Sequence, residues 1–363
     1  MRIAYANACY LLDGVTGRNV HVKQFIDNAV ALGHEVWMPS GSQHPGVRHL
    51  STERVKRLLA LREMDVIYFR LEDDAPRALR ATVFPYRQMC GSPIVVWEFN
   101  VSPEYGAVIG RSRQEIDNSI HEFRSYGKRC DLAVCVSDAL ADYVRTNLGI
   151  KRVITVPNGS DPQLFRPNVA PVGRVERSPD RLNVVWIGSA DLNYNNFDLL
   201  RETADSLWAR GEGERIRFHI IGNGLRRMRE MPANVVYHGS EDYESLPRWL
   251  AAMEVGLCLY RSGPADYNSP LKLFDYMASG LAVAGTHQSQ VRQVFEQLGQ
   301  LDLLFPADDA NALVAILLKL SSDRDRIRRL GEAGRRLVIE RYNWQRAARD
   351  TFREIECLLQ AKR

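Results

Sequence analysis

Residues 167–188 read Pro-Asn-Val-Ala-Pro-Val-Gly-Arg-Val-Glu-Arg-Ser-Pro-Asp-Arg-Leu-Asn-Val-Val-Trp-Ile-Gly. Three prolines and a glycine interrupt residues 167–180, which carry no apolar period, and that composition is a linker's. An apolar, β-branched run then restarts at Val184 and ends on Gly188. On both sides of this break, short β-branched runs alternate with longer amphipathic stretches. Upstream, strands are predicted at residues 2–6, 35–38, 65–69, 94–99, 132–137 and 153–156, and helices at 20–32, 52–62, 76–89, 114–126 and 139–148. Downstream, strands are predicted at 183–187, 217–221, 235–238, 256–259, 282–285 and 303–305. The helices there are predicted at 196–210, 244–253, 271–279, 289–298, 309–320, 324–341 and 344–361. Such an order predicts parallel sheets with helices on both faces. The expected fold class is α/β, two doubly wound Rossmann-like domains facing across a cleft. The expected bounds are 1–165, a linker at 166–180, 181–343, and a last helix at 344–363. In such sheets ligands bind beyond the carboxyl ends of the strands, at a topological switch point.

Bulk composition agrees. A chain of 363 residues suits two domains of about 150–200 each. Apolar residues make up 45% and charged ones 25%, as in soluble globular proteins, and a net charge of +4 is too mild to imply nucleic acid. Met1 leads into a strand-like run and no segment has signal-peptide or membrane-span length, so a cytoplasmic protein is expected. The six cysteines form no Cys-x-x-Cys pair and read as reduced core thiols. No metal site is expected: Asp323-Arg-Asp325 reads as a helix cap. The arginines at 324, 326, 328, 329, 335 and 336 read as a solvated face, with weak peripheral contact at the inner face of a membrane as the minority reading.

Several strand ends carry residues suited to a ligand. Gly14 and Gly17 precede a helix near Asn19, where bare N–H groups suit a phosphate or sugar hydroxyl; the spacing is not Gly-x-Gly-x-x-Gly, which argues against a dinucleotide site. Glu98 and Asn100 close an apolar strand, and Glu98 is placed to orient acceptor hydroxyls or act as a base. Asn158-Gly159 marks a tight turn whose role is read as mainly structural. Gly188, and Gly222 with Gly224, end two further strands and let a ligand approach backbone; with Tyr243 they suggest a slot for a flat base. In Asn268-Ser-Pro-Leu-Lys-Leu-Phe-Asp-Tyr-Met-Ala-Ser-Gly280, Asn268-Ser269 reads as a cap and Pro270 as the first helical residue, with Leu271 following. Lys272 then falls in the first turn, where the helix dipole disfavours a cation unless an anion such as a diphosphate is held there. Asp275 follows on nearly the same face and suits the two hydroxyls of a ribose; a surface Lys–Asp pair is the plainer alternative.

Together these residues resemble the retaining, GT-B-fold enzymes of glycosyltransferase family 4 (glycosyl transferases group 1). The likeness rests on Val156-Pro-Asn-Gly-Ser-Asp, Phe165-Arg-Pro, Trp186-Ile-Gly, Ile221-Gly-Asn-Gly and above all residues 269–280; Asn195-Asn196 and Tyr342-Asn-Trp344 are lesser landmarks. The resemblance implies transfer of a sugar from a nucleoside-diphosphate sugar to an acceptor hydroxyl, with retention and without a metal or further cofactor. It implies a carbohydrate, lipid-linked or small-molecule acceptor. It also implies that Lys272, aided by Arg261, holds the diphosphate, that Asp275 holds the ribose, that Gly14 to Gly17 border the phosphates, that Glu98 faces the acceptor, and that the last helix crosses back to the first domain. Three positions depart from the family pattern. Tyr267 stands where a first glutamate is usual, with Asp266 one residue away as its substitute. The usual lysine near Asn195-Asn196 is missing, as is a histidine near Asn100. The alternatives are a non-catalytic nucleotide-sugar binding protein and a sugar-nucleotide epimerase on the same fold.

Overall fold

The computed structural model describes residues 1–5, 17–39, 44–51, 63–71, 93–228 and 231–362. It divides into two compact units: Met1–Pro157 with Tyr267–Ser269 and Trp344–Arg363, and Asn158–Asp266 with Pro270–Asn343.

The first unit contains β1 (Arg2–Tyr5), α1 (Gly17–Ala31), β2 (Glu35–Pro39), β3 (Val47–Leu50), β4 (Val66–Leu71) and β5 (Ile94–Phe99). It continues with α2 (Arg113–Gly127), β6 (Leu132–Cys135), α3 (Asp138–Asn147) and β7 (Val153–Thr155). The strands form one parallel sheet in the order β3-β2-β1-β4-β5-β6-β7. The central strands β4 and β5 are buried along their whole length, as expected for a parallel sheet covered on both faces. Local signals place the helices. Ser112 and Glu115 form a reciprocal capping box at the start of α2, and the Ser137 hydroxyl accepts from the Leu140 N–H at the start of α3.

The second unit contains β8 (Leu182–Ile187), α4 (Phe197–Ala209), β9 (Ile216–Ile221), β10 (Val235–Gly239), α5 (Leu246–Leu250) and β11 (Val255–Cys258). It ends with α6 (Leu271–Ala278), β12 (Ala282–Thr286), α7 (Ser289–Leu298), β13 (Leu304–Phe305), α8 (Ala310–Ser321) and α9 (Arg324–Glu340). Its sheet runs β10-β9-β8-β11-β12-β13, again all parallel. The last helix, α10 (Trp344–Lys362), counts with the first unit, where Phe352 packs on Phe25 of α1 at 5.3 Å between ring centroids.

The α/β class with two Rossmann-like parallel sheets agrees with the sequence reading, while β3 and the helix at 244–253 differ from it. Strand β3 was not expected, because residues 47–50 form an exposed edge with only Leu50 fully buried and so lack an alternating apolar pattern. The helix expected at 244–253 shrinks to α5, because the following turn tightens into i→i−3 bonds from Ala252 to Trp249 and from Met253 to Leu250. The helices expected at 52–62 and 76–89 lie outside the described residues.

Helix α9 crosses α6 closely. A Cβ on Gly331 would overlap the carbonyl oxygen of Gly280, while one on Gly173 would meet nothing within 4 Å. Gly331→Ala is therefore expected to lower unfolding free energy in urea by about 1–3 kcal/mol through overpacking, and Gly173→Ala to leave it within about 0.5 kcal/mol. Equal effects of the two substitutions would contradict this packing.

Candidate functional site

In the second unit the strand order reverses at β8, which has β9 on one side and β11 on the other. Loops leaving β8 and β11 in opposite directions open a crevice at their carboxyl ends. The loop after β8 is stitched to its neighbours: the Gly188 N–H donates to Ile221 at 3.0 Å, Ala190 to Asn223 at 2.9 Å, and Gly222 to Gly239 at 2.7 Å. This stitching explains the glycines. Gly222 has φ +135°, and a Cβ there would overlap the Gly188 carbonyl; one on Gly224 would sit 2.6 Å from the Ala190 Cβ. Gly222 and Gly224 thus let two strand-end loops touch, a packing role beside the ligand approach expected of them. The side chains of Asn195 and Asn196 secure the same region, donating to the carbonyls of Ser189 at 2.9 Å and Ala307 at 2.5 Å.

Helix α6 lies against this crevice. Tyr276 docks it: the Ile187 N–H donates to the Tyr276 hydroxyl at 2.7 Å, and the Tyr276 ring occupies the space left by Gly256. One turn earlier on the same face comes Lys272. Its Nζ reaches the switch point, 4.9 Å from the ring centroid of Trp186 and 5.1 Å from that of Tyr260, and within 3.1 Å of where a Cβ on Gly188 would stand. Although the residue as a whole is half-buried, the Nζ itself is enclosed and has no hydrogen-bond partner among the described residues. Burial pulls its pKa down to about 8. Pro270 is the N-cap of α6 and supplies no side-chain bond, so the expected cap at Asn268-Ser269 falls outside the helix and Pro270 precedes its first residue, Leu271. A proline side chain carries no acceptor atom, so it takes no bond from the first N–H groups of α6.

Asp275 faces elsewhere. It is buried, and its Oδ1 accepts from the Ser160 hydroxyl at 2.6 Å and from the Tyr243 hydroxyl at 3.2 Å. Burial raises its pKa to about 7, against the pull of those two donors. Ser160 is set by the Asn158-Gly159 turn, whose glycine lies against the backbone of Asn343. That turn therefore does more than shape the chain: it delivers a hydroxyl to Asp275. Arg261 is engaged on α4 and the loop before it, donating to Asp198 at 2.7 Å and to the Asn193 carbonyl at 2.9 Å. Asp266 uses both carboxylate oxygens on Ser289, accepting from its N–H and its hydroxyl at 2.8 Å each, and so anchors the start of α7. Asn268 and Ser269 cluster with the first unit, as does Tyr267, whose carbonyl accepts from Ser137 at 2.6 Å. Of the arginines on α9, Arg324, Arg326, Arg328 and Arg329 form ion pairs, and Arg335 donates to the carbonyls of Pro162, Phe165 and Ala278. Among the described residues no helix is long and apolar enough to cross a membrane.

The first unit presents a separate cluster at the end of β5. Glu98 is 2% exposed and accepts from Tyr68 and Asn100 at 2.6 Å each, with His21 at 3.0 Å and Arg70 at 3.4 Å. Burial alone would raise its pKa, but His21, Arg70 and the Tyr68 hydroxyl together hold it at about 2. The register of β4 with β5 sets Arg70 beside Glu98. Nothing in a single sequence marked His21, Arg70 or Tyr68 as its partners. Gly17 begins α1, and Gly14 lies outside the described residues.

Residues 200–353 match the family described as glycosyl transferase-like. The chain resembles the group 1, GT-B-fold glycosyltransferases. An MMP alpha-(1->4)-mannosyltransferase of Mycolicibacterium hassiacum is 28% identical over 60% of this chain and 51% of its own length. The chain spans about half the length of the curated relatives it matches. The fold is shared with sucrose-phosphate synthase from Thermosynechococcus elongatus, at TM-score 0.75 and 16% identity over 99% of both chains. It is also shared with Anabaena HepE solved in complex with UDP-glucose, at TM-score 0.73 and 11% identity over 99% of this chain and 100% of that one.

The two buried acids predict opposite pH behaviour. Asp275 titrates higher folded than unfolded, so its stability penalty is absent near pH 4 and grows until about pH 7. Asp275→Asn should therefore melt above wild type at pH 8 and level with it at pH 4. Glu98 titrates lower folded, so its contribution is complete above about 4.5 and is lost as pH falls towards 2. Glu98→Gln should cost about 3–5 kcal/mol at pH 7 by stranding its buried cationic partners. Melting curves across pH with both variants shifted in the same direction at pH 8 would contradict these assignments.

Proposed function

We propose that this chain is a retaining glycosyltransferase that moves a sugar from a nucleoside-diphosphate sugar to an acceptor hydroxyl without a metal. The observation that carries the reading is the enclosed Lys272 ammonium, unpaired among the described residues, at the switch point of the second unit. A buried cation with no counter-charge is costly unless a ligand supplies one. A diphosphate fits, because it brings charge and several acceptor oxygens to a strand-end crevice beside the start of α6. Asp275 supplies the second half of the recognition: its Oδ1 is taken by Ser160 and Tyr243, and its Oδ2 is the atom for ribose hydroxyls. The family resemblance and the fold shared with a protein solved with UDP-glucose support the same class of donor. The matched mannosyltransferase supports a carbohydrate acceptor.

In this reaction the bond from the anomeric carbon to the diphosphate oxygen breaks and a bond to the acceptor oxygen forms on the same face. The acceptor proton passes to the departing phosphate oxygen, so no strong protein base is needed. Lys272 stabilises the charge that grows on the diphosphate as the bond breaks. Glu98 is too strongly held by four partners to exchange a proton near neutral pH, and it serves to orient Asn100 and the end of β5.

One observation favours a second reading. Asp266, the nearest acid to the place of the first motif glutamate, is consumed by Ser289, which leaves donor binding without transfer as the alternative. A thermal-shift panel of nucleoside diphosphates and their sugars tests the donor, since a ligand at 100 times its Kd stabilises by about 2.7 kcal/mol. Product analysis with simple sugar acceptors then separates transfer from binding. Lys272→Ala is expected to lower kcat/KM by about 10²–10³. Undiminished transfer by that variant, or no shift with any nucleoside diphosphate, would defeat the proposal.

A further inference from the structure

We propose that Trp186 and Tyr260 are positioning residues: their π faces form a cage that keeps the Lys272 side chain cationic and aimed at the diphosphate before any donor arrives. This rests on the reading of Lys272 given above and deepens it. The two rings come from the two strands that flank the switch point. Trp186 is on β8, immediately before Ile187 and Gly188, and Tyr260 follows β11 by two residues. Both are buried, and both are braced. Trp186 packs on Phe197 at 5.3 Å, and Tyr260 stacks in parallel on Tyr194 at 6.5 Å. The Tyr260 N–H donates to the Thr286 hydroxyl at 2.9 Å.

An enclosed ammonium ordinarily finds a carboxylate or carbonyl. Among the described residues Lys272 has neither, and the ring faces of Trp186 and Tyr260 lie where they favour its charge. Among the described residues, the titratable groups set against it are Cys258 on β11 and Tyr260, with Tyr276 one turn along its own helix. Burial raises Cys258 to about 12 and both phenols well above their ordinary value, so all three are neutral between pH 6 and 9. Arg261, the next cation along the chain, is tied to Asp198. The cage therefore acts against desolvation, which pulls Lys272 down to about 8. A diphosphate raises it again. Above pH 8 donor binding must then take up a proton, and affinity falls as the free lysine loses its charge. The terminal phosphate of UDP ionises at about 6, so it is dianionic above pH 8 and mostly so at pH 6.5.

Leucine at either position keeps the apolar wall and removes the π face. Losing one such face lowers the lysine by about one pH unit. Affinity for UDP, measured by calorimetry on the whole chain, is expected to fall about eightfold at pH 8.5 in Tyr260→Leu and by less than about twofold at pH 6.5. Tyr260→Phe and Trp186→Phe keep a π face and should keep the wild-type profile. A merely structural role would weaken binding equally at both pH values, and that result overturns the cage. Should the leucine variants fold poorly, lysine-¹³Cε NMR of the wild-type chain reads the same property: a Lys272 titration near 8 that rises with UDP supports it, and one at the ordinary lysine value overturns it. Lys272→Met separates the two claims. If it binds UDP as tightly as wild type, the diphosphate reading itself fails; if it loses UDP while Tyr260→Leu keeps the wild-type profile, only the cage fails.

Discussion

The second unit is organised by one close approach. The backbone of Gly222 lies against the carbonyl of Gly188, in a space that no side chain shares, and this brings the ends of β8 and β9 together as a single floor. On the other side of β8, the Tyr276 ring fills the space over Gly256 on β11 and takes the Ile187 N–H. Helix α6 is thereby fixed in rotation, and one turn of helix carries Lys272 to Gly188. The position of the lysine follows from missing Cβ atoms on neighbouring strands, with no ion pair among the described residues to hold it.

Charge is handled differently in the two units. Glu98 has four partners, and its depressed pKa is the mark of a satisfied structural acid. Lys272 and Asp275 shift the opposite way for their types, each towards its neutral form, because burial is not matched by partners. Groups held in that condition at a strand-end crevice are where ligand chemistry concentrates. They sit three residues apart on α6 but face different surroundings, Lys272 towards the aromatic rings of β8 and β11, Asp275 towards Ser160 and Tyr243. A nucleoside diphosphate presents its two kinds of polar group, phosphates and ribose hydroxyls, with a similar separation of roles.

Much of the fold was legible because β-branched runs and amphipathic stretches alternate with few interruptions; β5 and α7 coincide with the runs read from sequence. Strand β3 was hidden because an exposed edge needs no apolar face. The start of α6 was legible from Pro270 and the apolar run after it, which set Lys272 in its first turn and Asp275 three residues on. Their surroundings were not, since a Trp inside a strand and a Tyr after one look like core residues until the strand order sets them side by side. Asp266 misled for a related reason: its nearness in sequence to the expected acid says nothing of Ser289, which reaches it from α7.

The central claim is that the Lys272 ammonium waits for a diphosphate. A crystal structure of the chain with UDP tests it most directly. The account predicts a phosphate oxygen within about 3 Å of the Lys272 Nζ, with ribose hydroxyls at the Asp275 carboxylate. A UDP bound elsewhere, or bound in the second unit with its phosphates turned away from Lys272, would contradict it.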